Sequence, residues 1–283
     1  MTASNYEIVT GDTGLRCVPT STWSAQLTSV FHAAGCTELE INSGKGWAGN
    51  DLVFLSELPD LCGLIIRTMS VKDCSPIQAL ENLQTLTLDS NCKGALDFSI
   101  FPKLIKCSFP WRAGGESIFS CRGLRRLYIS GLRAVDLSEA GKLENLEELL
   151  LFPTALKNLN GISQLRSLRY LRLGAATKLT DIAEIRACRF LERAEFNQCR
   201  KVHDFSALSG ANDIKRIELV DCGKIKDLKW ISKLNCLEEL FFSGDTYIED
   251  GDLTSLLSVP TLKTVTFQAR KHYSHRSGDF RHR

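Results

Sequence analysis

Apolar positions along this chain recur with a period near 22 residues, far longer than the 3.6 of a lone amphipathic helix or the 2.0 of a lone strand. The kernel of each period reads Leu-x-x-Leu-x-Leu: Leu83/Leu86/Leu88, Leu124/Leu127/Ile129, Leu146/Leu149/Leu151 and Leu168/Leu171/Leu173. Conservative copies are Leu61/Leu64/Ile66, Leu104/Cys107/Phe109, Leu191/Ala194/Phe196, Ile214/Ile217/Leu219, Leu237/Leu240/Phe242 and Leu262/Val265/Phe267. A degenerate first copy is Cys36/Leu39/Ile41. Successive first positions of these eleven copies lie 20 to 25 residues apart. Further apolar residues stand three and six positions upstream of the kernels, as Leu143 and Ala140, Leu165 and Ile162, or Leu234 and Ile231. Still further upstream, several copies carry Asp followed by an apolar residue: Asp136-Leu137, Asp181-Ile182, Asp204-Phe205 and Asp227-Leu228.

A coil needs an apolar side chain wherever its backbone turns inward, and stacked coils then share one core. The pattern predicts an α/β repeat solenoid. Here the chain resembles the leucine-rich repeat family, in the short 22-residue class typical of bacterial internalin-like proteins and of some phosphatase regulators. The clearest unit is IKRIELVDCGKIKDLKWISKL, residues 214–234, and the resemblance covers roughly residues 27–268. It implies a leucine-rich repeat horseshoe of about eleven repeats. A parallel β-sheet is expected on the concave side, with short helical, 3-10 or extended segments on the convex side.

Three parts are expected: an N-terminal segment with a capping helix (1–35), the solenoid (36–268) and a basic C-terminal tail (269–283). An open solenoid end would expose core and strand edge. Ser21–Ala34 reads as the capping helix, with Thr20 or Ser21 as N-cap, Trp23, Leu27, Val30, Phe31 and Ala34 on one face, and Gly35 as its stop. The tail either covers the last strand or is partly disordered.

Composition narrows the class. Of 283 residues, 43% are hydrophobic and 24% charged, as in ordinary globular chains. The longest apolar run, Leu149–Phe152, is far short of a membrane span, and no signal peptide is visible, so a cytoplasmic location without membrane contact is expected. The net charge of +2 is not the dense positive footprint of a nucleic-acid binder. The eleven cysteines include no Cys-x-x-Cys and read as free thiols. Cys107, Cys121 and Cys188 fill leucine slots, whereas Cys199 and Cys222 hold the ninth repeat position, occupied in the family by Asn or Cys bonding turn backbone.

Three motifs suggest chemistry. Gly44, Gly46 and Gly49 form Gly-x-Gly-x-x-Gly after a predicted strand, a dinucleotide signature when a long helix follows; here it fills a repeat turn. His272, His275 and His282 suggest a metal, but no further ligand of suitable spacing stands out, and solvated tail side chains are the preferred reading. His203-Asp204 resembles half of a catalytic pair, although Asp204 sits at the recurrent Asp position. No catalytic residue, metal or cofactor is therefore expected.

Side chains flanking the inward leucines point to the concave surface in three columns. From copy five to copy ten these are Arg126, Glu148, Tyr170, Arg193, Arg216, Glu239; then Tyr128, Leu150, Arg172, Glu195, Glu218, Phe241; then Ser130, Phe152, Gly174, Asn197, Val220, Ser243. Tyr128, Leu150, Phe152 and Tyr170, flanked by Arg126 and Arg172, have the composition of a binding hot spot, and Phe241 extends the candidate set. The Arg/Glu columns also suit a cross-strand ladder. The expectation is a non-catalytic, monomeric scaffold that holds a protein partner on its concave face. An inhibitor or immunity protein of a toxin or effector is the specific form favoured. A phosphatase or kinase adaptor, or a nucleotide- or metal-dependent enzyme or sensor, are the alternatives.

Overall fold

The computed structural model describes residues 5–280. The chain divides into two compact units, Met1–Tyr128 and Ile129–Arg283. In both, the Leu-x-x-Leu-x-Leu kernels form short strands, which pair in parallel from copy to copy over residues 36–110 in the first unit and from residue 148 onward in the second.

The first unit opens with a hairpin absent from the sequence reading: β1 (Tyr6–Thr10) runs antiparallel to β2 (Leu15–Pro19) around a Gly11–Gly14 turn. Helix α1 (Ala25–Ala33) follows, then β3 (Cys36–Asn42), β4 (Gly63–Arg67), β5 (Thr85–Asp89) and β6 (Lys106–Pro110). The hairpin joins the repeats through β2, which pairs in parallel with β3. Leu39, Leu64, Leu86 and Cys107 form one buried row across β3–β6, and Ile41, Ile66 and Leu88 another. A slip of one residue would turn each row out to solvent, so burial sets the register.

The capping helix is shorter than expected. Its N-cap is Ser24, extended at φ −152° and accepting from Leu27 N–H, rather than Thr20 or Ser21. Trp23 precedes the helix: its indole donates to Thr28 Oγ1 at 2.9 Å and its ring stacks on Phe54 at 4.5 Å. Leu27 and Phe31 are the residues α1 buries. Trp23 packs too, but from outside the helix, which is why it mimicked a helical face in sequence.

β7 (Arg126–Ser130) has residues on both sides of the division. The second unit continues with β8 (Glu148–Leu151), β9 (Tyr170–Gly174), β10 (Arg193–Asn197), β11 (Arg216–Val220), β12 (Lys224–Ile225), β13 (Glu239–Ser243), β14 (Tyr247–Ile248) and β15 (Thr264–Phe267). Strands β8, β9, β10, β11, β13 and β15 are successive parallel neighbours; β12 and β14 pair separately.

The rest of each repeat is short and apolar inward. Ile77, Ile162, Ile185, Leu208 and Ile231, six positions before their kernels, lie in 3-10 turns with buried side chains. The recurrent Asp starts these turns. Asp136, Asp181, Asp204 and Asp227 each accept from the N–H two residues on, at 2.7–3.0 Å. Asp51, Asp73, Asp97 and Asp252 do the same without having stood out in the sequence. The carboxylate satisfies a donor that the turn leaves unpaired.

Part of the tail covers the last repeat. Tyr273 meets Phe242 and Phe267 edge-on and accepts from Ile248 N–H at 3.0 Å. Phe280 is buried against Phe267. Among the described residues, no helix is long and apolar enough to cross a membrane.

Candidate functional site

The open face of the sheet in the second unit carries the columns read from sequence. Glu148, Tyr170, Arg193, Arg216 and Glu239 stand side by side, as do Leu150, Arg172, Glu195, Glu218 and Phe241. Leu149, Leu171 and Leu173 alternate with them and are buried. Leu150 is half-buried, whereas Phe152, just beyond β8, is 42% exposed. Phe152 lies over Gly174: any side chain at 174 would occupy the ring's place. The pairing brings Leu150, Phe152, Tyr170 and Arg172 together on β8 and β9. Phe241 stands apart, four strand spacings from Leu150, about 19 Å at the usual separation.

Glu195 organises this face. It is buried, although it belongs to an outward column. Tyr170 donates its hydroxyl to Glu195 Oε2 at 3.1 Å, and Arg172 Nε lies 3.4 Å from the same oxygen. Arg193 donates to Oε1 and sets its guanidinium 4.7 Å from the centre of the Tyr170 ring. Burial, then the Glu195 charge, pushes the Tyr170 phenol above its ordinary pKa. One strand on, Arg216 bridges Glu239 at 2.6 Å and Glu218 at 3.2 Å. The columns thus form a bonded network, with Tyr170 and Arg172 held in place before any partner arrives.

In the first unit, Arg126 and Tyr128 point outward from β7, on either side of buried Leu127. The hairpin turn reaches over the open face of β3. Glu38, 1% exposed, takes Arg16 Nε and Nη2, each at 2.8 Å, and the Thr13 N–H. Glu40 takes Asn42 Nδ2 at 2.9 Å and Lys45 Nζ at 3.2 Å. Asp12 extends to Lys106 Nζ on β6 at 2.6 Å. That bond, with the charges of Lys106, Arg16 and Arg126, holds the Asp12 carboxyl below its ordinary pKa despite partial burial. This self-covering escaped the sequence reading, whose columns began at copy five. The Gly-Asp-Thr-Gly turn between two alternating segments was the available signal.

The other motifs serve packing. Gly44 N–H binds Asn42 Oδ1, and Gly46, at φ +101°, ends a three-residue 3-10 turn where a side chain would strike Thr20. No long helix follows, as a dinucleotide site requires. His272 Nε2 lies 2.9 Å from the Ile248 carbonyl, and His275 contacts Ser274 and Phe280; His282 lies outside the described residues. His203 Nδ1 faces the Lys224 carbonyl at 2.9 Å, while Asp204 caps its turn. Among the described residues, no group of three or more His, Cys, Asp or Glu is placed to hold a metal. Cys107, Cys121 and Cys188 fill their leucine slots, and burial pushes the Cys188 thiol up to about 12. Cys199 and Cys222 donate to strand carbonyls.

No family model matches the chain, and no curated protein matches it. Solved structures do. An internalin (inlF) from Listeria monocytogenes superposes with a TM-score of 0.60 at 17% identity, covering 90% of this chain and 87% of that one. A TDR receptor gives a TM-score of 0.66 at 14% identity, covering 88% of this chain and 46% of the receptor. TLR13, in a complex with ssRNA13, gives 0.58 at 20% identity, covering 82% of this chain and 36% of that one. The chain has the leucine-rich repeat solenoid fold.

Proposed function

We propose that this chain is a non-catalytic scaffold that binds a partner protein on the open face of its sheet. The single observation that carries this reading is the juxtaposition on β8 and β9: exposed Phe152 and half-buried Leu150 beside Tyr170 and Arg172, both already fixed on Glu195. An aromatic and apolar centre flanked by preorganised polar groups favours protein recognition, since little side-chain entropy is lost on binding. Arg126 and Tyr128 in the first unit, and Phe241 on β13, are proposed as separate contacts. One structural neighbour is complexed with RNA. Here Arg172, Arg193 and Arg216 on the second unit's face are each paired with a Glu, Glu195, Glu218 or Glu239, which opposes a run of phosphates. The turn-bonding roles of Asp204 and His203 support the absence of catalysis.

The finer form we favour is an inhibitor that masks a toxin or effector in the cytoplasm, acting as a monomer. A phosphatase or kinase adaptor is the second form. The test is affinity capture with wild type beside a Leu150→Ala/Phe152→Ala/Tyr170→Ala variant, followed by titration of the purified partner. Retention by wild type alone is expected. Equal retention would move the site off this face, and reproducible turnover abolished by a point mutation would refute the non-catalytic reading.

A further inference from the structure

Two cysteines and an arginine in the first unit form a cluster that packing does not account for. Cys74 and Cys92 come from successive repeat turns, joined by the parallel bridge between Asp73 and Lys93. Cys74 donates both its N–H, at 3.0 Å, and its thiol, at 2.9 Å, to the Lys93 carbonyl, and the Cys92 sulfur is its neighbour across the turn. Arg112 arrives from the next repeat. Its Nη1 lies 2.8 Å from Cys74 Sγ and 3.6 Å from Cys92 Sγ. Both cysteines are buried, but an open cavity of about 400 Å³ adjoins Cys92, lined by Ser90, Cys92, Lys93, Trp111 and Arg112 among others. A guanidinium aimed at two sulfurs is an unusual neighbour for thiols that merely fill a core.

We propose that Cys74 and Cys92 are a redox site, oxidised by hydroperoxides to a disulfide and restored by thiol reductants, with Arg112 stabilising the reacting thiolate. The hydrogen bond from Cys74, with Arg112 and against burial, pulls the Cys92 thiol down to about 6, whereas Cys74 is pushed up. Cys92 lines the open cavity and Cys74 does not, so a peroxide reaches Cys92, the nucleophile, and Cys74 is the resolving thiol. The Cys92 thiolate attacks one peroxide oxygen; the O–O bond breaks, an alkoxide or hydroxide leaves and takes a proton, and Cys92 becomes a sulfenic acid. Cys74 then loses its proton and its sulfur attacks Cys92, expelling hydroxide as water. In sum, two thiols and one hydroperoxide give a disulfide, an alcohol (water, from hydrogen peroxide) and one water. A dithiol reverses the step by exchange. Cys199 and Cys222 are also buried neighbours that donate to backbone carbonyls, but what sets Cys74 and Cys92 apart is the Arg112 guanidinium on both sulfurs and the open cavity beside Cys92.

The test is peptide mapping of the reduced full-length chain after stoichiometric hydrogen peroxide and alkylation, under non-reducing conditions. A Cys74–Cys92 linked peptide should appear before oxidation of exposed Cys236 or half-exposed Cys62, and dithiothreitol should remove it. Cys74→Ser should leave a sulfenic acid on Cys92 that dimedone traps. Arg112→Gln should slow oxidation, most plainly at a pH near 6, where each unit the thiol rises above the assay pH lowers the thiolate fraction about tenfold. Circular dichroism melts would confirm that both variants fold, and the wild-type map needs no variant. First oxidation at Cys236 or Cys62, with Cys74 and Cys92 still alkylated as thiols, would overturn the proposal, as would an unchanged rate in folded Arg112→Gln.

Discussion

The ring of Phe152 rests on Gly174, where an added Cβ would stand 2.0 Å from the ring's Cδ2. The third column thus alternates a large residue with one that has no side chain, and that contact holds an exposed aromatic in one position. Gly174→Ala should displace the ring and destabilise the fold by about 1–3 kcal/mol, as overpacking does. Phe152→Ala should change stability by about 1 kcal/mol or less, while weakening partner binding about tenfold or more. Urea unfolding of both variants checks the first statement. A larger loss for Phe152→Ala than for Gly174→Ala would contradict it.

Leu171 tests the inward register of β9. It is fully buried and paired between Leu149 and Ala194. Leu171→Ala should cost about 2–5 kcal/mol through lost burial and the cavity left behind. A denaturant-unfolding loss under about 0.5 kcal/mol, typical of surface sites, would mean that the side chain faces solvent.

Glu195 gathers Tyr170, Arg172 and Arg193 on one carboxylate. Glu195→Gln removes the charge but keeps the shape. Because both arginine side chains are about half exposed, screening reduces the loss to about 1–2 kcal/mol. Tyr170 should then ionise at lower pH, since the neighbouring charge that raises its phenol is gone while its burial persists. Ultraviolet titration of tyrosinate reads this; an unmoved Tyr170 would separate the phenol from Glu195.

Asp73, Asp97 and Asp252 are held below 3.8 by the hydroxyls, then the backbone N–H groups, of Ser75, Ser99 and Thr254. Between 3.8 and the lower folded values, the unfolded chain binds more protons, so stability rises with pH there. The contribution is fully present above 3.8 and is lost as pH falls through the folded values. Denaturant midpoints should drop on acidification through this window. A triple Asp→Asn variant, which keeps the acceptor oxygens, should drop less; an equal drop would remove these turns from the acid response.

The repeat was legible because burial recurs at fixed offsets. Cys107 and Ala194 could be read as leucine substitutes from position alone, and Asp204 as a turn former from its recurrence. What lay outside the period was not legible. The β1–β2 hairpin precedes the first kernel, and Trp23 imitated a helical face from one residue before the N-cap. Within the site, alternation placed Leu150 and Phe152 outward, but it could not show that Glu195 is buried. That depends on Tyr170, Arg172 and Arg193 converging from adjacent strands. Arg112 likewise meets Cys74 across 38 residues, a separation no local pattern encodes.

The most direct test of the binding surface is titration calorimetry of the captured, purified partner against wild type and against folded Leu150→Ala/Phe152→Ala. The proposed function predicts a Kd at least about tenfold weaker for the variant, with its unfolding midpoint nearly unchanged. Equal affinities would contradict it and leave the open face of the second unit without a role in recognition.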